Sequence, residues 1–303
     1  MSKNIYHVPV LFHESIEAMK LSNGNIFVDV TYGGGGHSKE ILKHISNDSF
    51  LVAFDQDDDA LNNIVDDEKL VFVNANFRFL KNFLKYHEFE KVDAILADLG
   101  VSSHQFDKAE RGFSIRSTAQ LDMRMNQNAD LTAFKVVNKY TDKELYHVFN
   151  SYADLKNVGK IVPEIIKNRR NKVIETTADL VGIMEKLVKG KKQNQFLAQI
   201  FQAIRIEVND EMGALEDMLE QAADVLKPGG RLVVISYHSI EDRLVKNFIR
   251  SGKFDGKVES DVYGNVNKPL SAVNRKPIVP SDDENGKNSR ARSAKMRVAI
   301  KND

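Results

Sequence analysis

Five short apolar runs stand out along the chain, at 26–30, 50–54, 70–73, 92–97 and 231–236. They are mostly continuous rather than alternating, which is the pattern of strands covered on both faces in a parallel sheet. Helical periodicity fills the gaps at 38–45, 57–65 and 79–87. The order β-α-β-α predicts a doubly wound α/β fold. From about 111 to 209 the strand pattern stops and only helix signals remain. Thr141-Asp-Lys-Glu144 has capping-box form before Leu145, Val148 and Phe149. Thr176-Thr-Ala-Asp179 opens a helix through Leu180, Ile183, Met184 and Leu187. Leu197, Ile200, Phe201, Ile204 and Val208 share one face of the next. The sheet pattern then resumes with a helix over 212–226, the turn Lys227-Pro-Gly-Gly230 and the run 231–236.

The pattern predicts a discontinuous α/β domain, 1–110 and 209–303, interrupted by a helical insertion, 111–208, of the kind used for substrate recognition. At the tail, Met296, Val298 and Ile300 alternate with Arg297, Ala299 and Lys301, predicting a strand with one exposed face. Reached without a crossover helix, it must run antiparallel to its neighbour. The expected sheet is mostly parallel with its last strand antiparallel, as in one large α/β class.

Composition adds bounds rather than direction. With 303 residues, 42% apolar and 28% charged, the chain reads as a soluble globular protein of more than one structural unit. Lys and Arg equal Asp and Glu at 43 each, so whole-chain charge names no partner. The basic residues are nevertheless clustered: Lys167, Arg169, Arg170 and Lys172; Lys186, Lys189, Lys191 and Lys192; and six between Lys287 and Lys301 with no acid among them. Each cluster reads either as a solvated face or as a footprint for a polyanion. Cysteine is absent, which excludes disulfides and thiolate chemistry and fits a reducing cytoplasm. His7, His13, Glu14 and Glu17 argue against a signal peptide. No apolar run reaches membrane-spanning length, so no membrane association is expected.

The densest chemical signal is Asn25-Ile-Phe-Val-Asp-Val-Thr-Tyr-Gly-Gly-Gly-Gly-His-Ser38, an apolar strand ending in Asp29 and then four glycines opening into a helix. Such a run costs backbone entropy, which predicts close approach of a ligand to the main chain. Asp55 closes the second strand. In this kind of sheet an acid there accepts hydrogen bonds from the two ribose hydroxyls of a nucleoside; alternatively it caps the following segment. Gly33 to Gly36 do not fit the Gly-x-Gly-x-x-Gly spacing of a dinucleotide site, and no P-loop is present. A nucleoside without a phosphate cradle fits better, and S-adenosylmethionine is the common one. Asp98 closes the fourth strand, followed by Gly100, Ser102 and Ser103, a denser polar set than a helix cap requires. Tyr237, His238 and Ser239 follow the fifth strand, where His238 is either structural or functional. No His/Asp grouping has metal-ligand spacing, and no metal is expected.

Together these segments resemble one family, the bacterial ribosomal RNA small-subunit methyltransferase H family, formerly MraW. The similarity is carried by His7-Val-Pro-Val-Leu11, Gly33 to Ser38, Asp55, Asp98-Leu-Gly-Val-Ser-Ser103, Glu110-Arg-Gly-Phe-Ser114, Leu121-Asp-Met-Arg-Met125, Phe201-Gln-Ala-Ile-Arg-Ile206, Pro228 to His238 and Ser289-Arg-Ala-Arg-Ser-Ala-Lys-Met-Arg297. The resemblance implies a class I methyltransferase sheet with a helical inserted domain that contacts RNA. It implies S-adenosylmethionine-dependent methylation of the N4 amine of one cytidine in the decoding region of 16S ribosomal RNA. The implied cofactor contacts are Gly35, Gly36, His37, Asp55, Phe77, Asp98 and Gln105. The partner would be the small ribosomal subunit; the oligomeric state, a homodimer included, stays open. His104 stands where the family has proline, and Leu155 where it has an acid.

The expected catalytic residue is Asp98, which with nearby carbonyls would grip the N–H groups of the acceptor amine. Phe113, Tyr237 and Phe106 are candidates to stack on an extruded base, and Arg111, Arg124 and the tail basics to hold phosphates. Two other readings share the layout. A nicotinamide-dependent oxidoreductase is disfavoured by the glycine spacing and the terminal antiparallel strand. A non-enzymatic RNA-binding ribosome assembly factor on a decayed core is disfavoured by retention of Gly35, Gly36, Asp55 and Asp98.

Overall fold

The structure, a computed structural model, describes residues 9–155, 158–260, 266 and 268–303. His7 and Val8 of the first family segment, and Lys156 and Asn157 beyond Leu155, lie outside the described residues. The chain folds as two compact units, 1–100 with 213–303, and 101–212.

The first unit is built on a seven-stranded sheet. The continuous apolar runs form β1 (Ile26–Asp29), β2 (Phe50–Asp55), β3 (Leu70–Asn74), β4 (Val92–Asp98) and β5 (Leu226–Ser236), followed by β6 (Leu270–Ala272) and β7 (Lys295–Lys301). Their order is β3-β2-β1-β4-β5-β7-β6. β1 to β5 pair in parallel, and β7 runs antiparallel to both β5 and β6. This is the doubly wound sheet, mostly parallel with its last strand antiparallel, expected from the sequence. Its switch point lies between β1 and β4, where chain progression reverses direction and where ligands of such sheets bind at the carboxyl ends.

The helices in chain order begin with α1 (Phe12–Met19), α2 (Gly36–His44) and α3 (Leu80–Tyr86). The second unit contributes α4 (Ser103–Asp107), α5 (Ala133–Lys139), α6 (Asp142–Tyr152), α7 (Val158–Asn171), α8 (Thr177–Met184) and α9 (Gln193–Asn209). Then follow α10 (Glu211–Val225), α11 (Ser239–Ser251) and α12 (Asp282–Lys287). In the first unit α1 packs on β4 and β5, α2 on β2, and α11 on β5 to β7. Phe27, Leu51, Leu96, Val233 and Ile235 fill one face of the sheet together with Leu11, Met19 and Ile41. In the second unit, capping boxes at Thr141 and Thr176 start α6 and α8 as predicted. The one-sided apolar faces of α5 to α9 close a core around Phe149, Ile165, Leu180, Ile200 and Ile204. Its only ladder contact among the described residues is the isolated bridge Gln120–Thr176.

Three predicted elements are corrected. The helix over 57–65 is a short 3-10 segment, Asp58–Asn63. Leu61 and Ile64 of its apolar spacing are exposed, so no buried face rewards a full helix, and Asp and Asn are poor helix formers. The turn 227–230 is not a break before the strand. β5 starts at Leu226, and the register jumps from Val92–Leu226 to Ala94–Arg231, so Lys227 to Gly230 bulge out of the ladder. Gly230 is required there, because a Cβ would lie 2.8 Å from the Lys227 carbonyl oxygen. The tail strand has no exposed face: Ala299, expected outward, is fully buried, α11 packs on β7, and β6, too short to register as a pattern, pairs along its far side.

Candidate functional site

The carboxyl ends of β1, β2 and β4 deliver Asp29, Asp55 and Asp98, and Tyr237 follows β5. Asp29 is fully buried. Its Oδ1 accepts the Thr31 N–H (3.0 Å) and hydroxyl (3.3 Å), and its Oδ2 accepts the Ser38 hydroxyl (2.6 Å). Burial raises its pKa against these donors. Asp29 therefore fastens the start of α2 to the end of β1.

Asp55 organises the glycine loop. Its Oδ2 accepts the Gly33 N–H at 2.7 Å, and its Oδ1 accepts the Asp57 N–H at 2.9 Å. Burial lifts its pKa to about 6 despite both donors. The loop itself takes positive φ at Gly33 and Gly35, values open to glycine at little cost. The expected reason for the glycines, ligand approach, is not the whole of it. A Cβ on Gly35 would come within 2.8 Å of the Tyr32 ring, and one on Gly36 would overlap Pro9 Cγ. Tyr32 is buried and donates its hydroxyl to the Asn63 carbonyl (2.8 Å). The backbone at Gly35 and Gly36 is thus pressed closely by the protein's own side chains.

Asp98 sits beside the switch point. Its N–H donates to Thr31 Oγ1 (2.7 Å), which ties the end of β4 to the residue bonded to Asp29. Its Oδ1 accepts the Tyr237 hydroxyl at 2.7 Å. Its Oδ2 lies 3.8 Å from His37 Nδ1. Burial pushes the Asp98 pKa up to about 7, helped by the charges of Asp29 and Glu241 and opposed by the Tyr237 hydrogen bond. His37 is buried, which lowers its pKa to about 4 and keeps the ring neutral at pH 7. Its Nε2 has no hydrogen-bond partner among the described residues. A buried ring nitrogen without a partner, two carboxylates at the ends of β2 and β4 on either side of β1, and a glycine loop fit a polar, phosphate-free nucleoside cofactor.

Phe77 is half-buried and opens the 3-10 turn Phe77–Phe79, three residues past Asn74, whose register partner is Asp55. His238 proves to be the N-cap of α11. Its Nδ1 accepts the Glu241 N–H (3.3 Å), and Glu241 Oε2 accepts the N–H groups of His238 (3.3 Å) and Tyr237 (2.9 Å). A cavity of about 510 Å³ lies instead at the amino end of β1, lined in part by Asn25, His44, Asp93 and Lys227. Asp93 is occupied there, accepting the Asn25 and Ile26 N–H groups and pairing with Lys227.

The second unit holds the other expected residues. Gln105 is buried in α4, where it and Ser102 exchange capping-box hydrogen bonds (3.0 and 3.2 Å). Phe113 is 5% exposed and belongs to that unit's core, so it offers no free face for stacking. Arg111 is buried and donates to the carbonyls of Arg124 and Met125. Arg124 is forked onto Asp122 and donates to the carbonyls of Gln127 and Ala129. Both arginines, expected to hold phosphates, are committed to the loop between α4 and α5. Arg169, from the first basic cluster, likewise donates to the carbonyls of Val137 and Tyr140. Lys186, Lys189, Lys191 and Lys192 stay exposed. Tyr237's bond to Asp98 was not legible in the sequence, since only the pairing of β4 with β5 brings residues 139 positions apart together.

Comparison with known proteins agrees with the resemblance. Residues 4–302 match the model of the MraW methylase family. The chain is 52% identical over 300 residues to the ribosomal RNA small subunit methyltransferase H of Phocaeicola vulgatus, covering 99% of each. It is 53% identical over 296 residues to the protein of that name from Christiangramia forsetii, covering 98% of each. The Bacteroides fragilis relative of the same name is 53% identical over 98% of this chain and 97% of its own.

Proposed function

Because this chain belongs to the MraW methylase family, we propose that it methylates the N4 amine of a cytidine in the decoding region of 16S ribosomal RNA, with S-adenosylmethionine as donor. The coarser activity, methylation of ribosomal RNA, follows from identity above one half with full-length relatives named for it. The observation that supports the finer reading is the placement of Asp98, a buried carboxylate with a raised pKa held at the switch point by Thr31 and Tyr237.

When bound, S-adenosylmethionine supplies an activated methyl group on its sulfonium. The residues to hold it are Asp55 for the ribose hydroxyls, Phe77 beside the adenine, and Gly35, Gly36, His37 and Asp98. With the donor already activated, the protein's main task is alignment. The acceptor is the harder problem, because the N4 lone pair of cytosine is conjugated into the ring. Asp98 accepts an N–H hydrogen bond from that amine, localises the pair, and takes the proton released as the N–C bond forms and the methyl–sulfur bond breaks, its electron pair staying on sulfur. A carboxyl that titrates near 7 suits that second role at neutral pH. The base leaves its stack to reach Asp98, at a cost of about a few kcal/mol. The helical unit 101–212 supplies RNA recognition, and its exposed lysines 186 to 192 meet phosphates. Ribosomal RNA as substrate supports a cytoplasmic location for the enzyme. Among the described residues, no helix is long and apolar enough to cross a membrane.

The test is transfer of a tritiated methyl group onto small subunits that lack this modification, followed by nucleoside analysis. Label in N4-methylcytidine is expected. Label in another nucleoside, or none, would overturn the reading.

A further inference from the structure

The Tyr237 hydroxyl is anchored more carefully than packing alone requires. The residue lies just beyond β5, and its N–H donates to Glu241 Oε2 at 2.9 Å. Opposite its ring is Gly100, at φ +98°, where even a Cβ would stand 3.4 Å from the Tyr237 ring. The residue is thereby held at its main chain, the glycine leaves its ring room, and the hydroxyl ends 2.7 Å from Asp98 Oδ1. A phenylalanine would fill the same volume. Among the described residues the hydroxyl's one partner is the Asp98 carboxylate, the group proposed to grip the acceptor amine.

We propose that Tyr237 is a positioning residue for methyl transfer: its hydroxyl occupies Oδ1 of Asp98 and fixes the carboxylate plane, turning Oδ2 to the acceptor amine. The proposal rests on the reading of Asp98 as that acceptor group. It replaces stacking on the base as the role of Tyr237, since a side chain tied to Asp98 at its tip is not free to swing over a base.

The charges around the pair give the hydroxyl a second consequence. Asp98 faces two carboxylates, Asp29 and Glu241, and a neutral buried His37; among the described residues the charges that shift it are negative. Tyr237 itself faces Asp98, Glu241 and Glu284, and burial with these charges raises its own pKa well above the usual phenol value, so it stays a donor at every working pH. The Tyr237 hydrogen bond is the influence that favours ionised Asp98. Removing it raises the pKa of Asp98, and the acid limb of the activity profile then moves to higher pH.

The experiment compares the full-length wild type with Tyr237→Phe in steady-state methylation of small subunits across pH 5.5–9. A hydrogen bond to a charged group of this kind predicts a fall in kcat of roughly 10- to 100-fold, with KM for the subunit little changed. The acid limb should move up by about half a unit or more. In an Asp98→Asn background the same Tyr237→Phe change should cost under about threefold, because the carboxylate it serves is gone. Wild-type kcat and an unmoved limb in Tyr237→Phe would overturn the proposal, as would an equal loss in both backgrounds. A carbon-13 titration of the Asp98 carboxyl, assigned with Asp98→Asn, reads the same contact without turnover. An unchanged Asp98 titration in Tyr237→Phe overturns the proposal even if the wild type proves inactive on ribosomal RNA, a result that would instead sink the functional reading.

Discussion

The Asp55 carboxylate accepts the Gly33 N–H at 2.7 Å, so the end of β2 holds the glycine loop that follows β1. The same carboxylate is the one assigned to the ribose hydroxyls. Asp55→Ala should therefore remove a ligand contact and loosen the loop together, weakening S-adenosylmethionine binding by roughly 10- to 100-fold. Asp55→Asn, which keeps an acceptor for Gly33, should lose less. Titration calorimetry checks both, and unchanged affinity in the alanine variant would remove Asp55 from the site.

Asp98→Asn should abolish most methyl transfer, by about 10²-fold or more, while circular dichroism remains that of the wild type. Its stability should respond to pH in a defined direction. A carboxyl whose folded pKa is raised stabilises the fold when protonated; that contribution is complete below the unfolded value of 3.8 and is lost as pH rises through about 7. The asparagine side chain stays neutral and escapes that loss. The melting temperature of the variant relative to wild type should thus rise between pH 4 and pH 8, by roughly 2–6 °C. A difference that stays flat across this range would show that the carboxylate carries no burial penalty.

Gly36 and Pro9 form a steric pair. A Cβ on Gly36 overlaps Pro9 Cγ, and the proline ring cannot rotate away. Gly36→Ala should destabilise the protein by about 1–3 kcal/mol, the usual range for overpacking. Pro9→Ala removes the obstructing atoms, so the double variant should recover much of the loss. Thermal melts of the four proteins give the coupling energy, expected at about 1 kcal/mol or more; additive losses would refute the contact.

Lys189, Lys191 and Lys192 are exposed and follow α8. If they meet phosphates, RNA affinity should fall linearly with salt on a double-logarithmic plot. Replacing all three by glutamine should then reduce the slope by about 2. An identical slope would mark them as solvated surface. Arg169 is a poor choice for this test, since its guanidinium braces the carbonyls of Val137 and Tyr140.

β1 to β5 were legible because covered strands leave continuous apolar runs, a signal written within five or six neighbouring residues. The acids closing those runs, Asp29, Asp55 and Asp98, were legible for the same reason; the antiparallel tail strand was legible from its alternation, although the open face that alternation predicts is covered in the fold. The capping boxes at Thr141 and Thr176 are likewise local. Each depends on spacing along the chain, which the sequence holds in full.

Contacts between distant segments were decided only in three dimensions. Whether 57–65 made a helix depended on a buried face for Leu61 and Ile64, and none formed. Pro9 against Gly36 explains part of a glycine run that chemistry alone had seemed to account for. Arg111 and Arg124 carry the same charge whether they face RNA or a loop carbonyl, and only packing chose the carbonyls. Tyr237 found Asp98 because β5 lies beside β4 in the sheet. Periodicity along a chain records which side of an element is covered; it carries no record of which side chain, far off in sequence, does the covering.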